Sequence, residues 1–437
     1  MERSAYKQLV NWKNKQNRKP LIIQGARQVG KTYLVNEFGK NEYANFIYLN
    51  FEQNSRLESL FSSGLIPDTI ISNISLYIGK KITAENTLLF FDEVQIAPQV
   101  LSSLKYFQEQ APEYHIIAAG SLLGISIGKG SSFPVGKVNF LNIFPLSFIE
   151  YLNSSGEYLL VEKLSSLPNL EPLPDAIHER LLNHFKLFLF LGGMPEVIQD
   201  YINNSDIESA RIIQNEILEA YKRDFSKYTE KNQAIRVSEF WNSIPRQLAK
   251  ENKKFKYSDI RKGARASSFE QSVEWLRKAG LIHVVYNIST PKKPLSAYAD
   301  YSKFKVYLHD VGLLAASLGI SSELIVSPLE IFSEFYGAFI ENYIAQELTF
   351  YENDQLHYWA SKSDAEVDFI IESERDIFPV EVKSGLNRNI KSLRSYSDKF
   401  KPKSIFRISP RNLIQNNDFV NIPLYATNVL VNYIRKP

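Results

Sequence analysis

The chain has 437 residues, 44% hydrophobic and 23% charged, so it can bury ordinary cores and is neither fibrous nor disordered as a whole. A formal net charge of only +3 argues against a chain-wide coat for nucleic acid, although a local basic face remains open. It contains no cysteine, which excludes disulfides and thiolate metal sites, and its six histidines show no paired spacing that would suggest zinc.

The first predicted elements are a short apolar strand, Leu21-Ile22-Ile23, and a helix opening at Thr32 and running to Phe38. Between them, Gly25-Ala26-Arg27-Gln28-Val29-Gly30-Lys31-Thr32 fits the pattern Gly, four free positions, Gly, Lys, Ser or Thr. Strand, glycine loop and helix make the setting that a phosphate-binding loop requires. Glycine at 25 and 30 lets backbone N–H groups wrap a phosphate that side chains would obstruct, and the helix N-terminus adds partial positive charge. Gly25, Arg27, Gln28, Val29, Gly30, Lys31, Thr32 and Tyr33 are therefore the expected nucleotide-binding residues. Lys31 would reach the β- and γ-phosphates, and the Thr32 hydroxyl would ligate Mg²⁺.

A second strand is expected over 46–51, and a third over Thr87-Leu88-Leu89-Phe90-Phe91-Asp92-Glu93. The continuous apolar run of the third suits a parallel strand covered on both faces, and it ends in two carboxylates at the sheet edge where nucleotides bind. Asp92 is expected to hold Mg²⁺, directly or through water, and Glu93 to polarise the attacking water. A helix over 97–110 and strands over 115–120 and 138–141 complete an alternation that implies a parallel sheet. The strand at 115–120 leads into Gly120-Ser121-Leu122-Leu123, which would bring the Ser121 hydroxyl beside the two acids and near the γ-phosphate.

At this point the chain resembles a prokaryotic AAA+-type ATPase of the AAA_14 plus DUF4143 arrangement. The resemblance rests on the Gly25–Thr32 loop, Phe90-Phe91-Asp92-Glu93-Val94-Gln95, Gly120-Ser121-Leu122-Leu123, Phe144-Pro145-Leu146-Ser147-Phe148 and Gly192-Gly193-Met194-Pro195-Glu196, and it covers nearly the whole chain. It implies ATP and Mg²⁺ as cofactors, a hydrolysis-sensing role for Ser121 and a tendency to assemble as rings. Relatives usually carry arginine where this chain has Lys137, which keeps the charge but loses the planar fork. No arginine finger is assigned; Arg223 is one candidate, with a solvated helix-end charge as its plainer reading.

Residues 176–225 read as helical, with Leu181, Phe185, Phe188 and Leu189 on an apolar face, and they resemble a lid. A helix over 235–250, a short one near 257–262 and a third opened by Ser267-Ser268-Phe269-Glu270 as a capping box follow. Residues 281–286 and 304–308 then pair as a hairpin, which gives the winged-helix arrangement. Lys250, Lys253, Lys254, Lys256, Arg261, Lys262, Arg265, Arg277, Lys278, Lys292 and Lys293 gather here. A recognition helix with a basic wing would suit DNA, but Glu270 and Glu274 on the third helix would repel phosphates, so a protein-docking or structural role stands beside DNA contact.

Near the C-terminus two more strands are expected, Val367-Asp368-Phe369-Ile370-Ile371 and Pro379-Val380-Glu381-Val382-Lys383. Glu381 and Lys383 share a strand face, and Asp368 on the neighbouring strand could meet Glu381. Two carboxylates can hold Mg²⁺ while a lysine positions a water for phosphodiester attack. This resembles the PD-(D/E)XK nuclease fold, which usually supplies a further acid from a preceding helix. The helix over 335–350 offers Glu341, ringed by small and apolar residues, with Glu347 as its rival. Arg388, Lys391 and Arg394 could contact a phosphate backbone.

The expected architecture is α/β: a P-loop parallel sheet (1–160), a helical lid (161–232), a winged-helix module (233–325) and a restriction-endonuclease-like α/β domain (326–437). The leading functional reading is Mg²⁺-dependent ATP hydrolysis coupled to conformational change, DNA-associated, with a nuclease-like site of Glu341, Asp368, Glu381 and Lys383. The alternative is a nucleotide-dependent signalling or scaffolding switch whose C-terminal domain only binds a partner. Met1 to Lys7 lacks the apolar core of a secretory signal, and no apolar run approaches the ~20 residues of a bilayer span. A cytoplasmic location without a membrane partner is therefore expected.

Overall fold

The structure is a computed structural model that describes residues 1–62, 64–120, 134, 136–165, 171–228, 231–250, 254–321, 333–352, 355–361, 365–385 and 390–435. By internal contacts the chain forms two compact units, one of residues 2–144 with 278–280, the other of residues 145–277 and 281–437 together with Met1.

The first unit is a five-stranded parallel sheet flanked by helices. Its elements are α1 (Ser4–Lys13), β1 (Leu21–Gln24), α2 (Lys31–Glu42), β2 (Asn45–Asn50), α3 (Pro67–Ile78), β3 (Thr87–Asp92), α4 (Pro98–Gln110), β4 (His115–Ala119) and β5 (Asn139–Asn142). The strand order is β2-β3-β4-β1-β5, every neighbour parallel. All residues of β3 and β4 are buried, as strands covered on both faces must be. On one face Leu89, Phe91, Ile116 and Ala118 pack with Ile70 and Ile74 of α3 and Leu101, Leu104 and Phe107 of α4. Because the strands run in one direction, the loop after β1 and the acids closing β3 emerge at the same sheet edge.

The second unit starts with helices: α5 (Phe148–Ser154), α6 (Tyr158–Ser165), α7 (Asp175–Leu191), α8 (Pro195–Asn204), α9 (Ile207–Tyr228), α10 (Lys231–Leu248) and α11 (Ala266–Lys278). The expected helical stretch 176–225 is thus three helices, and Gly192, at φ +71°, ends the first of them. Ser147 and Glu150 form a reciprocal capping box that starts α5. The capping box expected at Ser267 is not there. Helix α11 opens at Ala266, and the Ser268 amide already donates to Arg265 O, so Ser267 sits inside the first turn.

Strands β6 (Ile282–Ile288) and β7 (Ala299–Leu308) form the expected antiparallel hairpin, with Ile282 opposite Leu308. They are followed by α12 (Val311–Ser317), α13 (Ser333–Glu352), β8 (His357–Ala360), β9 (Glu366–Glu372), β10 (Ile377–Val382), α14 (Lys391–Phe400), β11 (Ile405–Ser409), β12 (Ile414–Asn416), β13 (Phe419–Pro423) and α15 (Thr427–Arg435). All eight strands make one mixed sheet, ordered β12-β13-β11-β10-β9-β8-β6-β7. The hairpin is therefore not a free wing, because the second edge of β6 pairs in parallel with β8 and continues the C-terminal sheet. Among the described residues no helix is long and apolar enough to cross a membrane.

Candidate functional site

The glycine loop between β1 and α2 adopts a backbone that few residues tolerate. Gly25 has φ +146° and Gly30, the N-cap of α2, has φ +90°. A Cβ on Gly25 would lie 2.1 Å from the Ile143 carbonyl oxygen, so this position needs glycine for space as well as conformation. Gln28 also sits at positive φ, +66°. The buried Arg3 guanidinium braces the loop from outside, donating to Val29 O at 3.1 Å and to Phe144 O at 2.6 Å.

Lys31 is buried at the start of α2, and its ammonium donates to Gly25 O (3.0 Å) and Ala26 O (2.6 Å). Burial pushes the Lys31 ammonium down to about 8, against the opposing pull of Glu93 and Asp92. The Thr32 hydroxyl donates to Asp92 Oδ2 at 2.9 Å, which joins the loop to the end of β3. Asp92 is 3% exposed, and the same carboxylate oxygen accepts from the Tyr48 hydroxyl at 3.0 Å, itself held by Asn50 Nδ2 at 2.9 Å. Glu93 adopts a left-handed backbone, φ +56°, and its Oε2 accepts from Gln95 Nε2 at 2.5 Å. Burial raises the Glu93 carboxyl above its ordinary value, although the Gln95 hydrogen bond works the other way. Tyr33 is exposed on α2. Lys137 pairs with Glu109 at 2.9 Å. Ser121 lies outside the described residues.

Lys31, Thr32, Asp92 and Glu93 therefore meet at one sheet edge. Arg3, Tyr48 and Gln95 were not anticipated as part of it. Their partners lie 26, 44 and two residues away in sequence, and no motif marks the first two. The hydroxyl of Thr32 and the carboxylate of Asp92 are hard oxygen donors of the kind Mg²⁺ takes, so this pair fits that ion.

In the second unit two of the acids expected around a metal, Glu341 and Asp368, meet a lysine instead, together with Glu366, which was not expected there. Lys305 of β7 has a side chain only 1% exposed. Its Nζ lies 2.7 Å from Glu366 Oε1, 3.4 Å from Asp368 Oδ1 and 3.7 Å from Glu341 Oε2, and 5.3 Å above the Tyr358 ring. Burial alone would lower this ammonium, but Tyr307, Glu341, Asp368 and Glu366 overcome that and hold it well above the lysine range. Glu341 also accepts from the Tyr307 hydroxyl at 2.8 Å, and Asp368 Oδ2 accepts from the Val382 amide at 2.9 Å. Glu381 is paired separately, with Lys383 Nζ at 2.8 Å. Glu347 faces elsewhere: it accepts from the Phe148 amide at 2.9 Å, at the N-terminus of α5. Among the described residues no group of three or more His, Asp or Glu side chains is arranged to hold a metal ion.

Of the basic residues gathered before and within the hairpin, several are matched to carboxylates: Lys250 to Asp259, Lys254 to Glu366, Arg261 to Glu239 and Arg277 to Glu274. Lys256, Lys262 and Arg265 are exposed, whereas Lys253 and Arg388 lie outside the described residues. Arg223 is exposed within α9, five residues before that helix ends, and is not a helix-end charge.

Residues 17–152 match the family model described as an AAA domain, and residues 336–427 match a domain of unknown function, DUF4143. The chain carries an AAA domain and a DUF4143 domain. Between them residues 182–324 match a further domain of unknown function, DUF8612, which spans the helices after α6 and the hairpin. With its parallel sheet and glycine loop, the AAA domain has the P-loop fold of ATPases. No curated protein matches the sequence. Among solved structures, a Walker-type ATPase of Pyrococcus abyssi is 16% identical, covering 72% of this chain and 95% of that one at a TM-score of 0.42. Cdc6p from Pyrobaculum aerophilum is 13% identical (73% and 93% covered, TM-score 0.26), and Orc1 of Aeropyrum pernix, solved in complex with DNA, is 11% identical (74% and 92%, TM-score 0.29). These distant likenesses add nothing to what the residues themselves say about function.

Proposed function

We propose that the AAA domain binds ATP with Mg²⁺ and hydrolyses it, and that the cycle drives a conformational change. The observation that carries this is the 2.9 Å hydrogen bond from Thr32 Oγ1 to Asp92 Oδ2, which joins the phosphate loop to the acidic strand end. In the bound state Lys31 exchanges its loop carbonyls, Gly25 O and Ala26 O, for phosphate oxygens. Thr32 and Asp92 would hold Mg²⁺, which when bound neutralises charge on the β- and γ-phosphates. Glu93, with its carboxyl raised by burial and steadied by Gln95, is the base that orients the attacking water. Lys31→Ala should weaken nucleotide binding by roughly 10–100-fold, the worth of a charge-assisted hydrogen bond or two. Glu93→Gln should bind ATP normally and lose about 10²-fold or more in turnover. Unchanged turnover in Glu93→Gln removes that residue from the chemistry.

DNA association is the finer part of this reading. Exposed Lys256, Lys262 and Arg265 support it, and the ion pairs around Lys250, Arg261 and Arg277 count against a broad basic face. Retardation of duplex DNA that weakens in the triple alanine variant at 256, 262 and 265 tests it; no retardation refutes it. One observation favours the alternative of a nucleotide-driven switch with a non-catalytic C-terminal module: its acids are already paired with lysines, Glu341, Glu366 and Asp368 with Lys305 and Glu381 with Lys383.

A further inference from the structure

The acids Glu341, Glu366 and Asp368 converge from α13 and β9, as acids do where a protein builds a divalent-metal site. The point they converge on is filled. Lys305 and Tyr307 lie two residues apart on β7 and so share a face, and both reach the cluster: the lysine touches all three carboxylates and the tyrosine hydroxyl caps Glu341. Two further carboxylate oxygens are engaged too. Asp368 Oδ2 takes the Val382 amide, and Glu366 Oε2 lies 3.3 Å from Lys254 Nζ. Glu381, the remaining acid of the set, has its own ammonium in Lys383 at 2.8 Å.

We propose that Lys305, which β7 brings in from the DUF8612 segment, is the resident cation of the acids Glu341, Glu366 and Asp368 of the DUF4143 domain, a built-in substitute for a divalent metal, and that the DUF4143 domain is consequently a metal-independent, non-cleaving module. A divalent ion placed among these oxygens would need contacts of about 2.0–2.6 Å to each. The ammonium, on a side chain only 1% exposed, already occupies that space, and an added ion would sit against it as a like charge. Expelling Lys305 would require breaking several ion pairs and exposing a buried lysine. The carboxylates are thus ordered by the chain itself and remain so without any ligand. This inference does not depend on the ATPase reading.

The test uses the full chain with Lys31→Ala and Asp92→Asn, so that the AAA domain contributes no metal site. Mn²⁺ is titrated by calorimetry and by the resonance of the free ion. The expected result is no stoichiometric Mn²⁺ site and no Mn²⁺-dependent rise in melting temperature. In the same background Lys305→Met, similar in length but uncharged, should melt roughly 5–10 °C lower, and Mn²⁺ should restore part of that loss. Stoichiometric Mn²⁺ binding in the chain that retains Lys305, abolished by Asp368→Asn, would overturn the proposal. So would divalent-dependent plasmid cleavage lost in Asp368→Asn, or an unchanged melting temperature in Lys305→Met. If Lys305→Met does not fold, the Mn²⁺ titration of the chain retaining Lys305 decides alone.

Discussion

Glu347 offers a prediction whose size follows from its surroundings. The residue is 1% exposed, and among the described residues its charge-stabilising contact is the Phe148 amide, with Glu150 nearby adding repulsion. Burial dominates and pushes the carboxyl up from 4.5 to about 8. The folded chain therefore holds this proton across a range where the unfolded chain has released it. The stability it contributes is fully present below about pH 4.5 and is lost as pH rises to 8. At about 1.36 kcal/mol per unit, the loss between pH 5 and pH 8 is roughly 4 kcal/mol. Glu347→Gln keeps an oxygen acceptor for Phe148 and cannot ionise, so its own stability should be nearly flat in this range apart from groups shared with the parent. Urea titrations at pH 5, 6, 7 and 8, followed by tryptophan fluorescence, give the comparison; Trp241, Trp275 and Trp359 report this unit and Trp12 the other. The variant should gain on the parent with each step in pH, overtaking it by pH 8. A gap between the two that stays constant within about 1 kcal/mol over the series would show that Glu347 is ionised in the folded chain, and the desolvation argument would fail.

Two more expectations concern the phosphate loop. Gly25→Ala would force a methyl to within 2.1 Å of Ile143 O at φ +146°, so it should cost roughly 1–3 kcal/mol and weaken ATP binding at least about tenfold; normal affinity in a nucleotide titration would contradict the role of that backbone shape. Tyr48→Phe removes one donor from Asp92 Oδ2 and should weaken binding of ATP by a few-fold with Mg²⁺ present but not with the ion chelated, because the tyrosine orients a metal-side carboxylate. Equal weakening in both conditions would mean that Tyr48 serves packing alone.

The candidate nucleotide site was legible because each of its parts is local. Strand β3 announces itself as an unbroken apolar run ending in Asp92 and Glu93, and the loop's pattern is contiguous. The five strands of the first sheet lie within a residue or two of their expected bounds, and the inner strands β3 and β4, buried at every position, are marked by near-continuous apolar runs. Other features were hidden for physical reasons. Arg3 and Tyr48 act through partners distant in sequence. In Phe304-Lys305-Val306-Tyr307-Leu308 a lysine alternating with apolar residues reads as the solvent face of a hairpin, yet 304–308 is buried throughout. Only the pairing of β6 with β8 reveals that the hairpin belongs to a larger sheet, and register between distant strands leaves no trace in either segment. The capping box of α5 was there to be read in Ser147 and Glu150, three residues apart; Ser267 and Glu270 show the same spacing without the cap, because the helix had already begun.

The two acidic groups in this chain separate a ligand site from a structural core by one criterion, the origin of the countercharge. Around Asp92 and Glu93 the direct donors are hydroxyls, an amide side chain and a backbone N–H: Thr32, Tyr48, Gln95 and the Glu93 amide. Lys31, a buried ammonium nearby, bonds to carbonyl oxygens instead, and burial leaves it less basic than usual. Such an arrangement keeps both charges short of strong partners, which is a cost the fold bears without return unless a phosphate and a cation complete it. Around Glu341, Glu366 and Asp368 the reverse holds. An ammonium sits in the middle with its basicity raised rather than lowered, and Lys254 and the Tyr307 hydroxyl add a second cation and a donor. Clustered carboxylates are therefore weak evidence for metal catalysis until their countercharges have been located, and in the C-terminal sheet the central one is on β7.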